Sequence, residues 1–294
     1  MDKERQNKWR SFLLAFTLTL VLLSAIMIAT VMAVQPSMPQ TDRTRSGDEF
    51  TFRPQAADTL TMAVIGLGAD GPGEFLLIRF NPQYGQVPLT LLPPEAIVTL
   101  EGANMTLREA YQKGGGNTVK AALSERLGVA VDKYAVLKRD AFIRIADTAG
   151  SVVYELPYDI IYQKDGFDIN LGAGKRRLDG QDIANMFAYP GYESPQEKSK
   201  VLGGLVAEIV NQNLSAAGEE ISSGLFKLAV NLIDTDITYA DYEYRRSAAD
   251  FVAKLDTQVA GNLPLQGTFL EDGVNFELAE KYVQLIRQYF QAVG

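Results

Sequence analysis

The sequence contains no cysteine and no histidine. The first absence excludes disulfides and thiolate metal sites. The second removes the commonest general base and the commonest metal-ligating side chain together. A Ser-His-Asp hydrolase, a cysteine protease and a histidine-ligated zinc enzyme are therefore excluded. Any chemistry must rest on carboxylates, Lys, Arg, Tyr, Ser or Thr. The formal net charge is −8, so the broad basic footprint of a nucleic-acid-binding protein is missing too. No nucleic-acid partner is expected, although a small basic patch around a phosphate is compatible with that balance.

A third absence is local. From Ser11 to Val34 the chain reads SFLLAFTLTLVLLSAIMIATVMAV, without one charged residue. About 20 apolar residues suffice for a helix to cross a hydrocarbon core, where only a helix or a closed barrel satisfies its own backbone. No face of the segment is polar, which argues against a buried amphipathic helix. Before it, Lys3, Arg5, Lys8 and Arg10 outnumber Asp2 and Glu4, and such an excess predicts a cytoplasmic N-terminus. The expected organisation is a cytoplasmic tail over 1–10, a transmembrane helix over 11–34 and a single-pass topology in the plasma membrane, with the rest extracellular. The competing reading is a cleaved signal peptide ending near Val31-Met32-Ala33. Signal cores run only about 7–15 residues, so the uncleaved anchor is preferred. Residues 35–57 are polar, include Pro36, Pro39 and Pro54, and show no apolar period. They read as an extended linker. Residues 58–294 suit one domain with a full core.

Within that domain, Thr59–Ile65, Phe75–Phe80 and Val87–Leu92 are short apolar runs bounded by Gly and Pro, and read as strands. Residues 81–85 (NPQYG) form a plausible hairpin connection between the last two. Thr106–Gln112 and Thr118–Leu127 have helical spacing, and Gly128 suits a helix C-terminus. Tyr134–Lys138 and Val152–Leu156 read as strands flanking a helix over Ala141–Ala149. Gly180–Phe187 and Pro195–Leu214 follow as helices, the second opened by Ser194 as N-cap and Pro195 at the first helical position. Ile221–Leu232, Tyr239–Lys254 and Phe276–Val293 complete the helical readings. This alternation predicts an α/β fold, layered α-β-α around a central mixed β-sheet.

The order of several short strings adds a family likeness. Thr61–Gly68 (TMAVIGLG), a Gly-rich loop, a strand ending in Asn81-Pro82, and Leu91-Leu92-Pro93 together resemble the opening of LytR-CpsA-Psr domains. The likeness continues through 107–115 (LREAYQKGG), 123–134 (LSERLGVAVDKY), 142–153 (FIRIADTAGSVV) and Leu178-Asp179-Gly180-Gln181. Residues 235–238 (TDIT) and 273–276 (GVNF) fit the C-terminal part of such domains. Each string alone is unspecific; their ordered spacing carries the resemblance.

The resemblance implies transfer of a glycopolymer from a polyprenyl-pyrophosphate carrier onto peptidoglycan in a Gram-positive envelope. It implies an apolar groove for the lipid tail and, beside it, arginines and aspartates that bind pyrophosphate with Mg2+. Such a design is sound, because phosphoryl transfer depends on positioning and on cations that neutralise developing charge. Older names for the family suggest a transcriptional regulator, but the expected cytoplasmic part is only the tail over 1–10.

This chain departs from the pattern where the chemistry should be. Its loop over 66–74 (GLGADGPGE) retains carboxylates in Asp70 and Glu74 but no arginine. The expected Pro-Arg-Asp is Pro93-Pro94-Glu95. The next arginine position falls on Ala188, and a further pair falls near Ser194 and Glu197, or on Lys198 if the alignment slips by one. Candidate catalytic residues are thus Asp70, Glu74 and Glu95, with Asp70 and Glu95 as candidate metal ligands. Lys198, Arg176 and Arg177 are candidate substrate-binding cations. Each also has a plain structural reading. Asp70 suits a turn, Glu95 a solvated position, Lys175-Arg176-Arg177 an exposed loop, and Lys198 a surface pair beside Glu197. The expectation is a membrane-anchored binding protein for a polyprenyl-linked glycopolymer precursor or a partner, with the transferase reaction lost and no cofactor. The alternative is an active phosphotransferase rebuilt on carboxylates and Mg2+.

Overall fold

The computed structural model describes residues 52–68, 71–164, 167–216, 230–255 and 257–291. The expected membrane span over 11–34, Asp70 and most of the helix expected over 221–232 lie outside these residues. Among the described residues no helix is long and apolar enough to cross a membrane.

The first three strands, β1 (Leu60–Gly68), β2 (Gly71–Phe80) and β3 (Val87–Leu92), form an antiparallel meander. The β2–β3 hairpin closes through Asn81, whose N–H donates to the Gln86 carbonyl at 2.9 Å, as residues 81–85 predict. β4 (Ile97–Leu100) and β5 (Ala103–Thr106) form a small hairpin ahead of α1 (Leu107–Leu127). α1 opens with a capping box between Thr106 and Glu109 and ends at Gly128 in the left-handed region, φ 67°. It is kinked at Gly114 and Gly115, where the backbone leaves helical angles. The two helices expected around the glycine run are therefore present as halves of one bent element. A Cβ on Gly116 would sit 2.1 Å from the Tyr134 ring, so the close approach requires glycine there.

β6 (Lys133–Lys138) then pairs in parallel with β1 and leads directly into α2 (Arg139–Ala149). β7 (Val152–Leu156), the β8–β9 hairpin (Ile160–Lys164, Phe167–Leu171) and β10 (Gly174–Leu178) precede α3 (Gly180–Ala188) and α4 (Pro195–Ala216). Ser194 caps α4 as expected, its Oγ accepting from the Glu197 N–H at 3.1 Å. The remaining elements are β11 (Asp234–Thr235), α5 (Tyr239–Tyr244), α6 (Arg246–Ala253), β12 (Ala260–Asn262), β13 (Gly267–Phe269), β14 (Phe276–Leu278) and α7 (Glu280–Phe290).

The central sheet has six strands in the order β11-β6-β1-β2-β3-β12 and mixes parallel and antiparallel pairs, as predicted. Strand alternation sends side chains to two separate cores. Met62, Val64, Leu76, Ile78 and Leu137 face one core with α2, α3, α4 and α6. Ala63, Ile65, Phe75, Leu77 and Val136 face the other with α1 and α7. The domain is thus α-β-α. Each fully buried Leu, Ile or Phe in these layers stabilises the fold by roughly 1.5–3 kcal/mol relative to exposure.

Three readings of the sequence need correction. Phe276–Leu278 is a strand and not the start of the last helix, because it pairs with β13 and because the Phe276 N–H donates to the Glu95 carbonyl at 2.9 Å. The helix expected over Tyr239–Lys254 breaks at Arg245, which has non-helical angles and whose guanidinium turns back to the Thr59 carbonyl. Lys175–Arg177 lies on β10, paired with β7, and not on a loop.

Candidate functional site

The segment read as a Gly-rich loop is largely an extension of the β1–β2 hairpin, with Gly66 opposite Glu74, Gly68 opposite Gly71 and a bulge between Gly66 and Leu67. Parity then fixes what faces inward. Counting in twos from Val64 brings Gly66 and Gly68 onto the face covered by α2, α3 and α4, and counting back from Leu76 brings Glu74 there. Where the other face has Ile65 and Phe75, this one has two residues without side chains. The missing volume is a cavity of about 320 Å³ between the sheet and the three helices. This lies at the lower end of the ~300–1,000 Å³ typical of small-molecule sites.

The cavity is mostly apolar. Leu67, Leu91, Phe142, Phe187 and Val206 are among its walls, and Glu74, Arg139 and Lys198 are its ionisable groups among the described residues. Ala188, where the family pattern leads one to expect arginine, is a wall residue as well. The Lys198 ammonium, one turn into α4, forms an ion pair with the Glu74 carboxylate across the cavity. It also lies 5.9 Å from the centroid of the Tyr192 ring. Burial pushes the Glu74 carboxyl up to about 7; Lys198 offsets part of this and Glu95 adds to it. The Glu74 side chain is 12% exposed, so a charge there is poorly solvated and depends on its partner.

Arg139 is the first residue of α2. Its Nη1 donates to the Ala184 carbonyl at 2.9 Å and its Nη2 to Asn185 Oδ1 at 2.6 Å. Among the described residues no carboxylate lies within ion-pairing distance of it. Burial lowers its pKa, with Asp140 opposing the shift. Gly66 is flanked by Leu137 on one side and Glu74 on the other. Arg139 therefore stands about two strand spacings from Glu74, on the order of 10 Å between backbones.

The sequence candidates separate on this frame. Glu74 and Lys198 come together in the cavity, and Lys198 pairs with this β2 carboxylate rather than with Glu197. Glu95 lies beyond the end of β3 and is held by Arg108 at 2.8 Å. Arg176 and Arg177 are exposed and away from the cavity, donating to the Gly172 carbonyl and to Ser151 Oγ at 2.8 and 2.9 Å. Arg139 was not among the candidates. The signal available was parity: Ala135, Leu137 and residue 139 alternate onto the face that carries Glu74. Of the candidate ligands for the Mg2+ that the resemblance implies, Asp70 lies outside the described residues. Glu74 and Glu95 are each occupied by a cation, and among the described residues no three acidic groups converge on one point.

The sequence profile of the LytR_cpsA_psr family matches residues 74–251. This span contains most of β2, all of α1 to α5, most of α6, and Glu74, Arg139 and Lys198 of the cavity. The chain belongs to the LytR_cpsA_psr family. No curated protein gives a significant match. Solved structures with the same fold include a protein from Eubacterium siraeum described as a transcription regulator. It is 16% identical, has a TM-score of 0.72, and the match covers 86% of this chain and 98% of that one. TagV of B. subtilis is 14% identical with a TM-score of 0.61, covering 79% of this chain and 95% of its own. TagT bound to LIIa-WTA is 15% identical with a TM-score of 0.62, covering 84% and 93%. At these identities the structural likeness establishes the fold alone, and it agrees with the family match.

Proposed function

We propose that this LytR_cpsA_psr protein is anchored in the plasma membrane by a single helix over 11–34. On the outer face it holds the apolar tail of a polyprenyl-linked glycopolymer precursor in the cavity between β1, β2 and α2–α4, without carrying out transfer to peptidoglycan. The observation that carries this reading is the Glu74–Lys198 ion pair inside an otherwise apolar cavity. Lipid binding needs apolar volume with a few polar groups, which is present. Phosphoryl transfer needs cations preorganised around the charge that develops on the transferred group. Here a carboxylate already occupies one of the two cavity cations, and Arg139 gives two of its donors to α3. The relative solved with LIIa-WTA supports a lipid-linked wall teichoic acid, or a polymer of that kind, as the class of ligand.

The test uses the full-length protein in nanodiscs with a polyprenyl-pyrophosphate-linked saccharide and Mg2+. The expected result is no release of polyprenyl phosphate above a protein-free control. Sustained Mg2+-dependent release that is lost in Glu74→Gln would overturn the non-catalytic reading in favour of a phosphotransferase rebuilt on carboxylates.

A further inference from the structure

Four of the 13 tyrosines are exposed: Tyr84, Tyr239, Tyr244 and Tyr289, at 55%, 40%, 58% and 37%. They are far apart in the chain, yet all four lie at one end of the central sheet. Tyr84 is in the turn between β2 and β3, at the end where β1 starts, since Leu60 pairs with Phe80. Tyr239 and Tyr244 are on α5. That helix is held at the same end by the Lys133–Asp241 ion pair and by the Arg245 guanidinium, which donates to the Thr59 carbonyl. Tyr289 is two residues beyond Arg287, whose Nε donates to the Leu127 carbonyl at 2.7 Å. Leu127 closes α1 just before β6 begins beside Met62, again at the start of β1. The other exposed apolar side chains lie elsewhere. Ile161 is on β8, and Phe269, Leu270 and Val274 are on the β13–β14 hairpin, which is bonded to the Glu95 carbonyl beyond the opposite end of the sheet.

A single exposed tyrosine needs no explanation. The sorting of all four to one end does. A tyrosine has an apolar body and a polar tip, which suits it to the boundary between water and lipid headgroups. The linker expected over 35–57 leads into β1 at this same end, so this is the end tethered to the proposed span. Carboxylates close by are already paired: Asp236 with Lys120, Asp241 with Lys133 and Arg245, and Glu243 with Arg246. They therefore present little bare negative charge to a bilayer surface.

We infer that this end of the domain rests on the bilayer surface, with Tyr84, Tyr239, Tyr244 and Tyr289 at the level of the lipid headgroups. This rests on the proposed membrane anchor and gives the anchored domain an orientation. A tether makes the second contact intramolecular, so four weak interfacial contacts suffice where a free domain would not bind. The end of the cavity formed by Gly66 and Glu74 is then held on the order of 20 Å farther out, the rise of β1 from Leu60. A ligand in the cavity is thereby carried clear of the bilayer and presented outward.

Because the chain has no cysteine, a single introduced one takes a nitroxide label at a chosen position. Gln83→Cys and Ser247→Cys place labels at exposed positions beside Tyr84 and Tyr244, and Val274→Cys serves as the far-end control. Each full-length variant is reconstituted in vesicles of phosphatidylethanolamine and phosphatidylglycerol. Spin-label accessibility to oxygen is compared with accessibility to a water-soluble nickel chelate. The oxygen-to-chelate ratio at 83 and 247 is expected to exceed that at 274 by about threefold, as for groups at the headgroup level. Changing all four tyrosines to serine is expected to bring 83 and 247 to the value at 274. Flotation of the same vesicles checks the anchor separately. Protein that does not float would overturn the anchor and the inference together. Floating protein whose labels at 83 and 247 match the control would overturn the orientation alone, and so would a ratio unchanged in the folded serine variant. Thermal melts establish whether that variant folds; if it does not, the three labels in the tyrosine-bearing protein decide.

Discussion

The two faces of the central sheet are built from the same strands by the same alternation, yet only one of them is filled to its end. Toward α1 and α7, Ile65, Phe75 and Leu77 continue the packing to the last turn of the β1–β2 hairpin, each 1% exposed or less. Toward α2–α4, Val64 is followed by Gly66 and Gly68, and Leu76 is preceded by Glu74. The difference is two absent side chains and one inward carboxylate. It teaches that the cavity is written into strand composition and does not require the helices to splay. The filled face tolerates a buried cation only with help. Arg79 is 4% exposed, its Nη1 donates to Thr61 Oγ1 at 2.9 Å, and Asp132 provides the nearby negative charge.

Substitutions that exchange the character of the two faces test this contrast. The largest effect belongs to the filled face. Phe75→Ala is expected to destabilise the domain by about 3–5 kcal/mol, the usual cost of emptying an aromatic core position. Urea denaturation of the domain measures it, and a loss below about 1 kcal/mol would mean that this face is not close-packed.

A smaller effect comes from pH, and it belongs to the cavity face. Glu74 and Asp147, an α2 residue on that side, are both pushed up to about 7, chiefly by burial. Neither Asp147 oxygen has a well-formed hydrogen bond, although the Gly180 N–H lies near enough to offset part of the shift. In each case the folded state holds its proton more tightly than the unfolded state. Stability is therefore greatest below the unfolded carboxylate range, near pH 4, and falls as pH rises to about 7. The expected loss is on the order of 1–3 kcal/mol. Other carboxylates act in the opposite sense, so the cleanest readout is a difference. Asp147→Asn should gain stability relative to wild type on going from pH 5 to pH 8, and an unchanged difference would remove burial of this carboxylate from the account.

The smallest effect is expected where volume is added to the open face. A Cβ at Gly66 meets nothing closer than the Glu74 carbonyl at 3.9 Å, and its backbone does not require glycine. Gly66→Val should therefore alter stability by less than about 1 kcal/mol, within the range of tolerated strand substitutions. A large loss would show that the space is closed in solution.

Much of the fold was legible because it depends on local pattern. Val87–Leu92 and Val152–Leu156 were read to the residue, and Ser194-Pro195 announced α4. The readings failed where distant pairing decides. Phe276–Leu278 has an apolar spacing compatible with a helix and becomes a strand only through β13 and the Glu95 carbonyl. The hairpins β4–β5 and β8–β9 depend on neighbours of the same kind. In the site, Glu74 and Lys198 were legible individually through the family pattern, but their union was not, since 124 positions of chain separate them and only the layering of α4 on the sheet brings them together. Arg139 escaped because a charged residue opening a helix usually faces solvent. Only the register of β6 on β1 shows otherwise.

The most direct test of the central claim is native mass spectrometry of the full-length protein, produced in a bacterial host and purified in detergent without added lipid, with Gly66→Val analysed in parallel. The wild-type protein is expected to carry one anionic isoprenoid lipid per chain, and the folded Gly66→Val variant to carry none. An equal lipid load on both, or no lipid on either, would contradict the assignment of the cavity as the lipid site.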